Sequence, residues 1–124
     1  NGLNVGIADE RSEIAACYLG VPQNDVGIRT DVLDGVMKAS GIMMLIRTMS
    51  PKVVAVDEIG SIDDINAIKQ GVNCGCSFIC TVHGDGLEDI KKKPVLKELI
   101  NDGIFKKYIL INKNNAKNRY IIRE

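Results

Sequence analysis

The sequence carries no excess of charge of either sign. Sixteen Lys and Arg balance sixteen Asp and Glu, so the formal net charge is zero. A strongly basic surface is thereby excluded, and no nucleic-acid partner is expected. Long apolar runs are also missing. The longest, Gly41 to Ile46, is far too short to cross a bilayer, so no direct membrane insertion is expected. There is no basic-then-apolar leader, no lipid-anchor motif, no internal repeat and no low-complexity segment. The chain opens Asn1-Gly2-Leu3-Asn4 without an initiator Met, and reads as a piece of something longer with nothing to direct secretion.

What is there suits a globular protein. At 124 residues, 45% hydrophobic and 26% charged, the chain has room for one domain of ordinary size. A chain of this length buries about two thirds of its unfolded surface. Zero net charge also favours self-association.

Four cysteines, Cys17, Cys74, Cys76 and Cys80, and the lone His83 invite a zinc reading. The spacing argues against it. Cys76, Phe78 and Cys80 alternate in what reads as a buried strand, and a row along one strand face does not converge on one ion. Reduced, buried thiols in a cytoplasmic protein are expected instead.

Short apolar runs alternate with helical stretches. Leu3 to Ala8 reads as a strand ending in Asp9-Glu10-Arg11, and Ser12 to Tyr18 either continues it or begins a helix. Gly20 to Asp25 has loop chemistry, and Val26 to Asp34 reads as irregular. Ile42, Leu45, Ile46 and Met49 share one face of a helix predicted over Lys38 to Met49, which Ser50-Pro51 stops. Lys52 to Val56 is a β-branched strand. Ser61 and Asp64 form an acidic capping box for a helix with Ile62, Ile65, Ile68 and Val72 on its buried face and Gly71 as terminator. Ser77 to Val82 is a further strand. Leu87 to Asn101 is helical, interrupted where Pro94 starts a new first turn and closed by Gly103. Phe105 to Ile111 and Arg119 to Ile122 form a terminal β-hairpin joined by Asn112-Lys113-Asn114-Asn115. Strands alternating with helices predict an α/β fold with a mainly parallel sheet and helices on both faces.

In such sheets ligands bind beyond the carboxyl ends of the strands. Three strand ends here are polar: Asp9-Glu10-Arg11-Ser12-Glu13, Asp57-Glu58, and Thr81-Val82-His83-Gly84-Asp85-Gly86. Val53-Val54-Ala55-Val56-Asp57-Glu58 has the Walker B pattern. A buried strand fixes the first carboxylate where it can hold Mg²⁺ through water, and the second polarises a water aimed at a γ-phosphate. The plain alternative is a capping or surface acid after an ordinary strand. His83 suits a terminal-phosphate sensor, since an imidazole donates to phosphate oxygen, and equally suits a structural role. Asp9, Glu10 and Glu13 read either as a salt-bridged loop or as a second acidic wall. Lys91-Lys92-Lys93 reads as a solvated helix end. No Gly-x-x-x-x-Gly-Lys-[Ser/Thr] occurs anywhere, so the loop that cradles phosphates is not in this chain.

The order of these strand ends resembles a known superfamily. Ile7-Ala8-Asp9-Glu10-Arg11-Ser12-Glu13-Ile14 is similar to the acidic box of the ATPases of type II and type IV secretion systems. Leu45-Ile46-Arg47-Thr48-Met49-Ser50-Pro51 resembles the stretch before their Walker B, and Thr81-Val82-His83 their Thr-Leu-His box. Arg29-Thr30-Asp31-Val32-Leu33-Asp34-Gly35 and Ala55-Val56-Asp57-Glu58-Ile59-Gly60 resemble one branch in particular, the stage III sporulation AA proteins of endospore-forming bacteria.

The resemblance implies a RecA-like P-loop NTPase core truncated before its first, phosphate-loop strand. Residues 1–124 would be the C-terminal portion of one ATPase domain. It implies ATP and Mg²⁺ as cofactors of the whole protein, with none bound to this piece alone. A hexameric homo-oligomeric ring and membrane channel proteins of the sporulation complex as partners are implied as well. The location implied is the mother-cell cytoplasm, beside the forespore-facing membrane. By position, Asp57 would coordinate Mg²⁺ through water, Glu58 would activate water, and Thr81 and His83 would face the nucleotide and its γ-phosphate. Glu10 or Glu13 would fill the acidic-box role, and Arg29 and Arg47 would stabilise charge across a subunit boundary. The alternatives kept open are a non-catalytic ring-assembly or docking module with vestigial acidic ends, and a metal-binding regulator using Cys74, Cys76, Cys80 and His83.

Overall fold

The computed structural model describes residues 2–114 and 119–124. These gather into two compact units, Asn1–Val82 and His83–Glu124.

The first unit is built on a parallel sheet of order β2-β1-β3-β4. Its strands are β1 (Val5–Asp9), β2 (Thr30–Asp34), β3 (Val53–Val56) and β4 (Ser77–Cys80), with helices α1 (Lys38–Met49) and α2 (Ile62–Asn73) between them. Register places Gly6 beside Val54 and Ala8 beside Val56. These residues share the face that the helices cover, and Val54, Val56 and Ala8 are buried there against Ile42, Leu45, Ile65 and Ile68. Each such aliphatic side chain stabilises the unit by roughly 1.5–3 kcal/mol on burial.

Close approach is secured by glycine. A Cβ on Gly41 of α1 would stand 2.9 Å from the Ala8 Cβ, and one on Gly71 of α2 would stand 2.4 Å from the Phe78 ring. Gly71 therefore does not end its helix, as the sequence suggested. It lies inside α2, whose C-cap is Cys74, and makes room for a neighbouring aromatic ring.

Three other expectations change. Thr30–Asp34, read as irregular, is edge strand β2, because pairing with β1 supplies the ladder that its half-exposed sequence does not advertise. Ser12 to Tyr18 is neither strand nor helix. Ser12 and Ala16 take positive φ, and the chain folds into turns around the Asp9 carboxylate. The run ending at Cys80 is an edge strand rather than a buried one, with Ile79 64% exposed. Ile62, assigned to the buried face of α2, is also exposed. The predicted capping box is present, with Ser61 and Asp64 each accepting the other's backbone N–H.

The second unit holds α3 (Leu87–Lys92), α4 (Pro94–Asn101) and an antiparallel hairpin of β5 (Tyr108–Ile111) and β6 (Tyr120–Arg123). Pro94 occupies the first turn of α4, and Leu96 and Leu99 form its buried face. Ile109, Ile111, Tyr120 and Ile122 share one exposed face of the hairpin. Of the predicted connection Asn112 to Asn115, Asn115 lies outside the described residues. No described helix is long and apolar enough to cross a membrane.

Candidate functional site

The carboxyl ends of β1 and β3 lie side by side at the middle of the sheet, and each delivers a pair of acids. In both pairs the first acid is buried and the second is not. Asp9 is 0% and Asp57 8% exposed, whereas Glu10 and Glu58 reach the surface.

Asp9 is committed to the backbone. Its Oδ1 accepts the N–H of Glu13 at 2.9 Å, and its Oδ2 accepts those of Ile14 at 3.1 Å and Ala15 at 2.9 Å. A carboxylate that gathers several N–H groups fixes a turn strongly. Of the two readings of the first acidic end, Asp9 fits the structural one.

Glu10 is different. Its Oε2 takes the ammonium of Lys38 at 2.6 Å, and the Lys38 side chain is only 12% exposed. Lys38 is the first residue of α1, whose first turn holds no acid. A cation there opposes the helix dipole. That misfit is the one sequence signal that marks Lys38, and the sequence reading passed over it.

Just past β3, Glu58 turns out of the strand line with φ +46°, uncommon for a residue with a side chain. Thr81 fixes that turn: its Oγ1 accepts the Glu58 N–H at 2.9 Å and its carbonyl accepts the Ile59 N–H at 3.0 Å. The Glu58 carboxylate pairs with the guanidinium of Arg11, which also lies 3.9 Å from Glu13. The exposed Glu13 thus sits at the margin of the cluster.

Glu10 and Glu58 open onto a hollow of about 850 Å³ between α1 and α2, lined also by Lys38, Arg47, Ser61 and Asp64. The structure therefore brings Glu10, Glu58 and Arg47 to one hollow, with Thr81 bracing it from β4. It does not bring Arg29 there. Arg29 precedes β2 at the amino end of the sheet, and donates to the Gly2 carbonyl at 3.0 Å. His83 belongs to the second unit, where its carbonyl accepts from Lys93 Nζ at 2.6 Å.

The cysteines do not converge. Cys74 is exposed at the end of α2, and Cys76 is buried with its thiol 3.2 Å from the Pro51 carbonyl. Burial pushes the Cys80 thiol up to about 12, with the Asp64 charge adding to the shift. Burial also raises Cys76, beside Cys74, and raises Cys17, beside Asp34 and Asp9. Thiols raised in this way are poor nucleophiles at neutral pH. Among the described residues, no three His, Cys, Asp or Glu side chains gather as a metal-holding group.

Comparison with known proteins matches the chain over residues 1–122 to the family described as Sporulation stage III, protein AA. The chain is 45% identical over 111 residues to the Stage III sporulation protein AA of Bacillus subtilis (strain 168). That alignment covers 90% of the chain and 36% of the relative, so the chain spans about a third of the relative's length. A family match over nearly every residue, on a parallel α/β sheet with paired acids at its strand ends, leads to one statement: this chain belongs to the stage III sporulation protein AA family.

Proposed function

We infer that the chain is the Walker B part of a sporulation ATPase, the phosphate-binding loop being supplied by the remainder of a longer protein. The family places the protein in sporulation. One observation carries the ATPase reading: Asp57 and Glu58 end an interior parallel strand with the first acid buried and the second turned out on a backbone held by Thr81. That division of labour fits nucleotide hydrolysis. A buried carboxylate with limited freedom suits a Mg²⁺ ion that keeps most of its waters.

The donor set fits the ion, with Asp57 the residue to hold it. Mg²⁺, when bound with ATP, would neutralise charge developing on the phosphates. Glu58 accepts a proton from, or orients, the attacking water, and its backbone is rigid enough to do so without reorganisation. Arg47, at the hollow, donates to anionic oxygen. His83 and Arg29, in the second unit and at the far end of the sheet, take their proposed sensor and charge-stabilising roles only in the assembled protein. We place that protein as a hexameric ring in the mother-cell cytoplasm, working on membrane channel proteins. A ring also suits a chain with no net charge.

A second reading, a non-catalytic ring-assembly or docking module, draws support from the ion pairs that Glu10 and Glu58 already make with Lys38 and Arg11. One experiment separates the two. In the full-length protein, Glu58→Gln should lower ATP hydrolysis by about two orders of magnitude or more while leaving nucleotide affinity intact. An unchanged rate would rule out the catalytic role of Glu58. The 124-residue chain alone should show no ATP binding by calorimetry, and micromolar binding would overturn that part.

A further inference from the structure

The two outer acids are each met by a cation, and the two pairs differ in kind. Lys38, 12% exposed, holds a Glu10 side chain that is 37% exposed, so in that pair it is the cation that is withdrawn from water. Arg11 and Glu58 pair with side chains 51% and 33% exposed. Such a pair is weak, and salt screens it. A second acceptor lies within reach, since Arg11 Nε stands 3.9 Å from a Glu13 carboxylate oxygen.

The Glu58 backbone, by contrast, is tied by Thr81 through its own N–H and that of Ile59. Side-chain motion is therefore the freedom left to Glu58. A guanidinium is a donor with no acceptor. Bound to Glu58, it occupies a carboxylate oxygen that a general base must offer to water.

We propose that Arg11 is a positioning residue that latches Glu58 out of use, and that release moves the guanidinium to Glu13. The proposal rests on Glu58 being the carboxylate that activates water. Charges balance throughout: Arg11 stays a cation, Glu58 and Glu13 stay carboxylates, and only the donor changes partner. Glu13 thereby gains a role as the receiving end of the latch rather than as a second catalytic acid.

The test uses the full-length protein. Arg11→Ala should raise the basal kcat for ATP two- to five-fold at low salt with KM unchanged, the size expected from removing an exposed pair. Raising salt from about 0.05 to 0.5 M should speed the natural protein toward the Arg11→Ala rate and leave that variant unmoved. Arg11→Lys should keep the salt response. An Arg11→Ala protein that is no faster, or that responds to salt like the natural one, overturns the latch. Should the natural protein not hydrolyse ATP, the catalytic reading fails and the pair itself is still decided by NMR. A protected Arg11 Nη2–H that disappears in Glu58→Gln shows the latch contact, and an unchanged signal overturns it.

Discussion

Thr81 carries Glu58 on its hydroxyl: the Oγ1 of one accepts the backbone N–H of the other at 2.9 Å, across 23 residues of sequence. The contact crosses from the end of β4 to the end of β3, and holds a non-glycine residue at φ +46°. Thr81→Val removes that acceptor while keeping the side-chain shape. We expect a loss of about 0.5–1.5 kcal/mol in stability. In the full-length protein, kcat should fall roughly ten- to a hundred-fold, because the carboxylate is displaced. Thr81→Ser should restore both. Urea unfolding and steady-state hydrolysis of the three proteins decide the matter, and a Val variant with natural kcat would show that the tie is ornamental.

Gly71 offers a packing test. Alanine in a helix interior normally gains about 1 kcal/mol over glycine. Here its Cβ would stand 2.4 Å from the Phe78 ring, so Gly71→Ala should destabilise by a net of up to about 2 kcal/mol, the strain of overpacking less that gain. Phe78→Leu in the same chain should recover part of the loss. Additive effects in this double-mutant cycle would mean that the two residues do not touch.

Asp9 is expected to be structural. Asp9→Ala strands N–H groups of Glu13, Ile14 and Ala15, and should cost about 2–3 kcal/mol. Asp9→Asn keeps one acceptor oxygen and should cost less. Hydrogen exchange at those three amides should rise in the Ala variant before the rest of the unit is affected.

Cys80 sets a stability change at high pH. Its thiol is raised from 9.0 to about 12 by burial and by Asp64, so the folded state holds its proton more tightly than the unfolded chain does. The stabilising contribution is complete below about pH 9 and is lost as pH climbs toward 12, with a slope of at most about 1.4 kcal/mol per pH unit. Cys80→Ala should flatten that part of the profile. Equal slopes for both proteins in denaturant titrations would contradict the burial argument.

Local pattern determined much of this protein. Period-3.6 spacing specified α1 to the residue, Ser61 and Asp64 specified where α2 begins, and Pro94 specified the start of α4, because each signal acts within a turn or two of chain. Asp57 and Glu58 were legible as a candidate pair for the same reason, since a β-branched run ending in two acids is a local feature.

Contacts between distant segments were decided by tertiary structure alone. β2 exists because β1 pairs with it, and no stretch of its own half-exposed sequence requires a strand. Lys38 meets Glu10 only once α1 is laid against β1, and Arg11 meets Glu58 only once β1 and β3 are neighbours. The balanced charge of the chain, sixteen of each sign, states how many ion pairs are affordable in total. Which acid meets which base is a matter of strand order, and that order is set by long-range pairing that period and composition do not encode.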